Sequence, residues 1–458
     1  MPIRTSPVTA LRGPALTFVD DPFRVGPAQS YRYVPDALVL MHEGRIAAFG
    51  PFDAVRDELP AGTEVTRYGD DSLIVPGFID THVHYPQLQM VGAPGGQLLD
   101  WLNRYAFPAE QQFGDRDHAQ AVARVFLREL LRAGTTTAAV FCTVFAQSVD
   151  AFFEESARLN TRMIAGKVLM DRHAPAALLD SPGGGCDESR ALIERWHGQG
   201  RQLYAVTPRF APTSSPAQMA AAGALWRAHP GTYLQSHVCE NRAEIEWVRE
   251  LYPERDSYLD VYDHYGQLGP RAIYGHAVWF EEQDFRRCHE TGTAIAHCPS
   301  SNLFLGSGLF RLAEASRPDR PVRVGLGTDI GAGTSLSLFA TMRDARNVAQ
   351  VAGQGVTSIH ALYLATAGGA RALYLDDKIG SLAPGYEADV VVLDLRSTPL
   401  IDFRMTHCRD LEEALLIQMA LGDDRLVRAT YVAGVNVHDR DQQADSPARP
   451  AAREDRLT

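Results

Sequence analysis

Apolar residues follow two rhythms along this chain. Near both ends they form short runs broken by polar or glycine-containing turns. In the middle such runs alternate with amphipathic stretches of helical length. The first rhythm is clearest at Ala37-Leu38-Val39-Leu40-Met41, which is followed by His42-Glu43-Gly44 and then Arg45-Ile46-Ala47-Ala48-Phe49-Gly50. Two apolar runs around a tight glycine turn predict a hairpin. From Leu73 the second rhythm predicts eight strands, at 78–84, 135–141, 163–170, 203–210, 233–237, 272–276, 293–298 and 322–329. Helical segments such as 117–133 and 240–251 lie between them. Eight strand–helix units imply an α/β fold, a (β/α)8 TIM-like barrel. After Ala370 the first rhythm returns, at 389–394 and 429–434. The expected organisation is a barrel over 74–378. A small β-sandwich is built from both chain ends, 1–73 and 379–438. The stretch 439–458, poor in large apolar residues, is expected to be a disordered tail.

Composition narrows the classes of function. Of 458 residues, 45% are hydrophobic, enough for a large core. There are 44 basic against 56 acidic residues, a formal net charge of −12. That excess argues against a nucleic-acid or anionic-membrane surface. No run reaches the roughly 20 apolar residues of a membrane span. The first residues are broken by prolines and acids, unlike a signal peptide. The six cysteines form no C-x-x-C pair and do not read as a disulfide framework. A cytoplasmic location is expected.

Candidate chemistry gathers at strand ends. On a strand, alternate side chains share a face, so His82 and His84 point the same way and Val83 the other. The fifth predicted strand ends on His237, the sixth on His276 and the eighth on Asp329. In a barrel these ends converge on one mouth, where active sites sit. His82, His84, His237 and Asp329 are the expected metal ligands, with a water completing the shell. Their nitrogen and oxygen donors suit one zinc ion per subunit, and these donor types do not exclude iron. Glu240 follows the fifth strand, where it can move protons or simply favour a helix N-terminus; spacing leaves both roles open. Gly183-Gly184-Gly185 lacks the Lys-Ser/Thr of a phosphate loop, and Gly325-Leu326-Gly327 lacks the third Rossmann glycine. Neither P-C-x-x-C nor H-E-x-x-H occurs. Trp101 and Trp279 could line a pocket or be plain core.

The run Pro76 to His84, then His237-Val238-Cys239-Glu240, Gly275-His276 and Gly325-Leu326-Gly327-Thr328-Asp329 resemble the amidohydrolase superfamily. Further segments resemble its guanine-deaminating members with a single metal. They are His84-Tyr85-Pro86-Gln87, Trp101-Leu102 with Phe107-Pro108-Ala109-Glu110, Val206-Thr207-Pro208-Arg209-Phe210, Ser236 to Arg242 and Ala296 to Leu303. The resemblance implies hydrolysis of guanine at C2, by water activated on the metal, to xanthine and ammonia. It implies that Asp329 also takes a proton from that water, that His276 orients it, and that Glu240 protonates the neighbouring ring nitrogen. The purine would be contacted by His84, Tyr85, Pro86, Gln87, Arg209, Phe210, His237, Glu240 and Asp329, with Arg209 at the 6-carbonyl. A homodimer acting on a small purine is implied, with no nucleic-acid or membrane partner. Another amino-substituted heterocycle such as 8-oxoguanine or a pterin is the alternative substrate, and a non-catalytic scaffold the alternative class. Two-metal relatives carry a carboxylated lysine on the fourth strand. Here Lys167 falls on the third, so a structural role is expected for it, though it could reach the mouth.

Overall fold

Strands buried on both faces read as nearly continuous apolar runs, and eight such runs form the centre of the molecule. The computed structural model describes residues 8–94 and 96–442. We number the barrel strands β1 (Phe78–His84), β2 (Thr135–Phe141), β3 (Arg162–Gly166), β4 (Leu203–Pro208), β5 (Tyr233–Val238), β6 (Ala272–His276), β7 (Ala294–His297) and β8 (Arg323–Leu326). Each pairs in parallel with the next in sequence. The ring closes between β8 and β1. There the Thr81 hydroxyl donates to the Leu326 carbonyl at 2.9 Å, and the Asp329 N–H to the His82 carbonyl at 2.9 Å. Close approach at this seam requires glycine: a Cβ on Gly325 would lie 2.4 Å from the Thr81 methyl carbon, and one on Gly327 2.8 Å from the His82 Cβ. The Gly325-Leu326-Gly327 pattern therefore serves barrel closure.

Two strands end three or more residues earlier than the apolar pattern predicts. β3 breaks at Lys167, and Val168–Leu169 resumes the pairing with β4. The fully buried Lys167 ammonium donates to Asp180 at 2.5 Å and lies 3.4 Å from Glu188. Both partners belong to the segment leading into and through the helix Pro182–Trp196 outside the strands, so Lys167 does not reach the mouth. β8 stops at Leu326 because Thr328 and Asp329 leave the ladder for side-chain and backbone partners on β1.

Both chain ends form one eight-stranded sheet. Its path runs Val435–Asp439, Val427–Val432, Val390–Asp394, Ser72–Pro76, Val8–Phe18, Tyr31–His42 and Arg45–Pro51, with Val65–Arg67 paired to Val8–Phe18. The hairpin turn falls at Glu43-Gly44, as predicted. Leu11, Val39 and Ile46 from the chain start pack with Val390, Val392 and Tyr431 from its end, giving the sandwich its own core. It docks at the N-terminal end of the strands through a buried ion network. Glu387 accepts from Arg162 Nε (2.7 Å) and Arg201 Nη2 (2.6 Å), and Arg201 also pairs with Asp389. Asp439 closes the last strand. Of the stretch read as a tail, 443–458 lies outside the described residues. All six cysteines are free. Among the described residues no helix is long and apolar enough to cross a membrane.

Candidate active site

The period-2 pleat of β1 sends His82 and His84 inward, while Val83 packs into the outer core. Asp80, fully buried on the same strand, accepts from the His82 N–H (3.1 Å), the Thr328 N–H (3.0 Å) and the Thr328 hydroxyl. It thereby staples β1 to the segment that carries Asp329. A left-handed backbone at His276 (φ 75°) and Asp329 (φ 49°) bends the chain at or just beyond each strand end. Non-glycine residues rarely adopt this conformation, although Asp and His do so more often than most.

These elements bring the expected ligands together. His84 Nε2 lies 3.0 Å from His237 Nε2 and 3.5 Å from Asp329 Oδ1. His82 Nε2 is also 3.5 Å from Asp329 Oδ1. His276 Nε2 stands 3.8 Å from Asp329 Oδ2 and 3.5 Å from Glu240 Oε2. Hydrogen bonds behind the rings set the tautomers. His237 Nδ1 meets the Arg209 carbonyl at 2.7 Å, and a carbonyl only accepts, so Nδ1 donates and Nε2 keeps its lone pair for the site. His276 Nδ1 pairs likewise with Asn302 Oδ1 at 2.9 Å. Burial lowers the pKa of His82, and those of His84 and His237 well below the usual imidazole range, which favours neutral, ligating rings. Burial would raise Asp329, but the imidazoles facing it, His82 foremost, hold it below the ordinary carboxylate range.

The donor set fits a divalent metal ion. Ligand atoms of His82, His84 and Asp329 lie within 4.8 Å of one another, and so do those of His82, His237 and His276. Among the described residues His82 Nε2 and His276 Nε2 find no hydrogen-bond partner although both are buried, a costly state for polar atoms unless something binds them. His276 is thus as close to the cluster as the four expected ligands.

Above the cluster a cavity is lined by His84, Gln87, Arg209, Phe210, His237, Glu240, His276 and Asp329. Leu98, Trp101, Leu102, Leu305 and Ala332 complete an apolar wall. Glu240 sits before the helix Arg242–Leu251, not in its first turn. Asn241 caps that helix, with Glu244 completing the capping box. Burial and the charge of Asp329 raise the Glu240 pKa well above the usual value.

Two residues expected at the substrate lie elsewhere. The Tyr85 side chain points into the outer core, donating to the Ser148 carbonyl at 2.7 Å and packing on Phe113 and Phe152. The alternation that turns His84 inward turns Tyr85 outward. Pro86 is buried in the short 3-10 helix Tyr85–Met90, away from the cavity lining. Of the two tryptophans, Trp101 lines this cavity, while Trp279 lies under the Arg242 guanidinium, 3.9 Å from the ring centre, beside a separate cleft. Asp80, Asn302 and Glu110 were given no role by motif spacing. Asp80 was the detectable one, since an acid inside an apolar strand must find partners.

A barrel with histidine and aspartate donors at the C-terminal strand ends defines a class of metal-dependent hydrolase, and the chain belongs to the amidohydrolase family, whose pattern matches residues 73–437. It is 48% identical to the guanine deaminase of Escherichia coli K12 over 422 residues, covering 92% of this chain and 95% of that protein. The solved structure of E. coli guanine deaminase superposes with a TM-score of 0.92 at 47% identity, over 94% of this chain and all of the other. A guanine deaminase from C. acetobutylicum, solved with guanine bound in its active site, superposes with a TM-score of 0.82 at 26% identity, over 94% and 100%.

Proposed function

We propose that this chain deaminates guanine hydrolytically to xanthine and ammonia, with one zinc ion held by His82, His84, His237 and Asp329. The observation that carries the reading is the buried Glu240 carboxyl, set beside the histidine–aspartate cluster in a cavity that Arg209, Gln87 and an apolar wall also line. Similarity to guanine deaminases, at 48% identity for the Escherichia coli protein, supports the substrate. Three imidazoles and a carboxylate suit zinc's borderline character. Bound there, zinc supplies Lewis acidity, which makes a water molecule acidic near neutral pH.

The protein's own groups supply the rest. Asp329 accepts a proton and passes it towards the leaving nitrogen. His276, pinned by Asn302, offers its Nε2 lone pair towards the same point and orients the attacking water. Glu240 donates its proton to ring nitrogen N3 as C2 becomes tetrahedral. Gln87 and Arg209 hold the opposite edge of the purine, and Phe210 and Trp101 exclude water from its faces. His84 and His237 lie against the substrate as well as the ion. A homodimer in the cytoplasm is part of the same reading, on the strength of the family resemblance.

The test is to incubate metal-replete protein with guanine, adenine, 8-oxoguanine and pterin and to measure ammonia. Guanine should be turned over in preference to the others. Turnover of a competitor with none of guanine overturns the assignment.

A further inference from the structure

We infer that Glu110 is a positioning residue that decides which purine edge the cavity accepts, by fixing Gln87 and Arg209 as a paired acceptor and donor. The inference rests on the reading of this cavity as a guanine site.

Glu110 lies in the helix Phe107–Gln111, 1% exposed, behind the cavity wall. Its carboxylate receives Gln87 Nε2 at 3.2 Å and Arg209 Nη1 at 2.8 and 2.7 Å. Both donors reach the same oxygen, Oε1. A carboxylate paired with a guanidinium only accepts, so the Gln87 amide must turn its NH2 towards Glu110. The Gln87 carbonyl oxygen is left for the cavity, and no described residue donates to it. Gly331 makes room for this orientation, since a Cβ there would lie 2.4 Å from that oxygen. Arg209 gives Nη1 to Glu110 and stacks 5.3 Å from the centre of Phe107. Among the described residues no side chain or carbonyl accepts from its Nε or Nη2, and Arg209 lines the cavity.

The cavity thus presents an acceptor beside a donor. The complementary ligand edge is an N–H next to a carbonyl, as in N1–H and C6=O of guanine. A 6-aminopurine presents the reverse, a lone pair at N1 and an amino group at C6, and sets acceptor against acceptor and donor against donor. Sites built on such hydrogen bonds reject the mismatched analogue by factors of about 10⁴.

The experiment compares guanine with 2,6-diaminopurine, which keeps the 2-amino leaving group and inverts the edge. In Glu110→Gln the new amide can donate to the Gln87 carbonyl and release the flip. The guanine-to-diaminopurine ratio of kcat/KM should then fall by about 100-fold, mainly through KM, with absolute diaminopurine turnover rising. In Gln87→Met, which leaves the Glu110–Arg209 pair intact, the ratio should also fall. The double variant should lose less than the product of the single effects, because Glu110 acts through Gln87. A Glu110→Gln protein with unchanged metal content and melting temperature but an unaltered ratio, or equal losses on both substrates, overturns the inference. If Glu110→Gln does not fold, an unaltered ratio in Gln87→Met overturns it. Absence of guanine turnover by the unmodified enzyme overturns the underlying reading instead, and is seen before any variant is made.

Discussion

Replacing Glu387 with glutamine should loosen the sandwich from the barrel without touching the chemistry. Glu387 and Asp389 face Arg162 and Arg201 at the N-terminal end of the strands, and all four residues are less than one-tenth exposed. Glu387 takes Nε and Nη2 from both arginines. The substitution leaves two buried guanidinium charges facing one carboxylate. Breaking a buried pair from one side costs about 3–5 kcal/mol, mostly the penalty of the charge left behind. Unfolding entropy is about 2.1 cal/mol/K per residue, or about 1 kcal/mol/K for a chain of this length, so the melting temperature should drop by about 3–5 °C. The pH dependence gives an independent check. Burial would raise the Glu387 pKa, but the Arg162 hydrogen bond and the Arg201 charge outweigh it and hold the carboxyl below its usual range. A group with a depressed folded pKa stabilises fully above its unfolded value, about 4.3 for Glu, and loses that contribution as pH falls through the folded value. The gap between wild type and Glu387→Gln should therefore be widest near pH 7 and narrow below about pH 4. Melting at fixed metal concentration across pH 3–8, alongside kcat at pH 7, reads both effects. A shift under 1 °C at pH 7, or a gap that widens on acidification, refutes the argument.

Two further outcomes follow from the active site. Glu240→Gln removes the proposed proton donor, and should lower kcat by about 10²–10⁴-fold with bound metal unchanged by elemental analysis; lost metal would mean that Glu240 helps hold the ion. Stripping the protein with a chelator should abolish turnover and lower the melting temperature. Zinc restored at 1,000 times its dissociation constant should return about 4 kcal/mol of stability, and an apo-protein as active and as stable as the loaded one would rule out the metal site.

What could be read from the sequence, and what could not, follows from how far each interaction reaches along the chain. His82 and His84 were legible because a strand's period of two is local, and His237, His276 and Asp329 because barrel topology brings every strand end to one mouth. The same alternation, applied one residue further, would have turned Tyr85 away from the substrate. Strand limits were less legible wherever a polar partner outcompetes the ladder: Lys167 leaves β3 for Asp180, and Thr328 leaves β8 for Asp80. The Asn241–Glu244 capping box was a local signal that already separated Glu240 from its helix. Glu110 is the opposite case. Its partners lie 23 and 99 residues away, on the segment after β1 and at the end of β4. No periodicity connects such positions, and an acid in an amphipathic helix reads as a solvated face until the fold buries it. The residues we assign to the metal were thus predictable from strand period and barrel topology. The residue we hold responsible for substrate choice became visible only once three distant segments met, because it acts on the orientation of other side chains and not on the ligand itself.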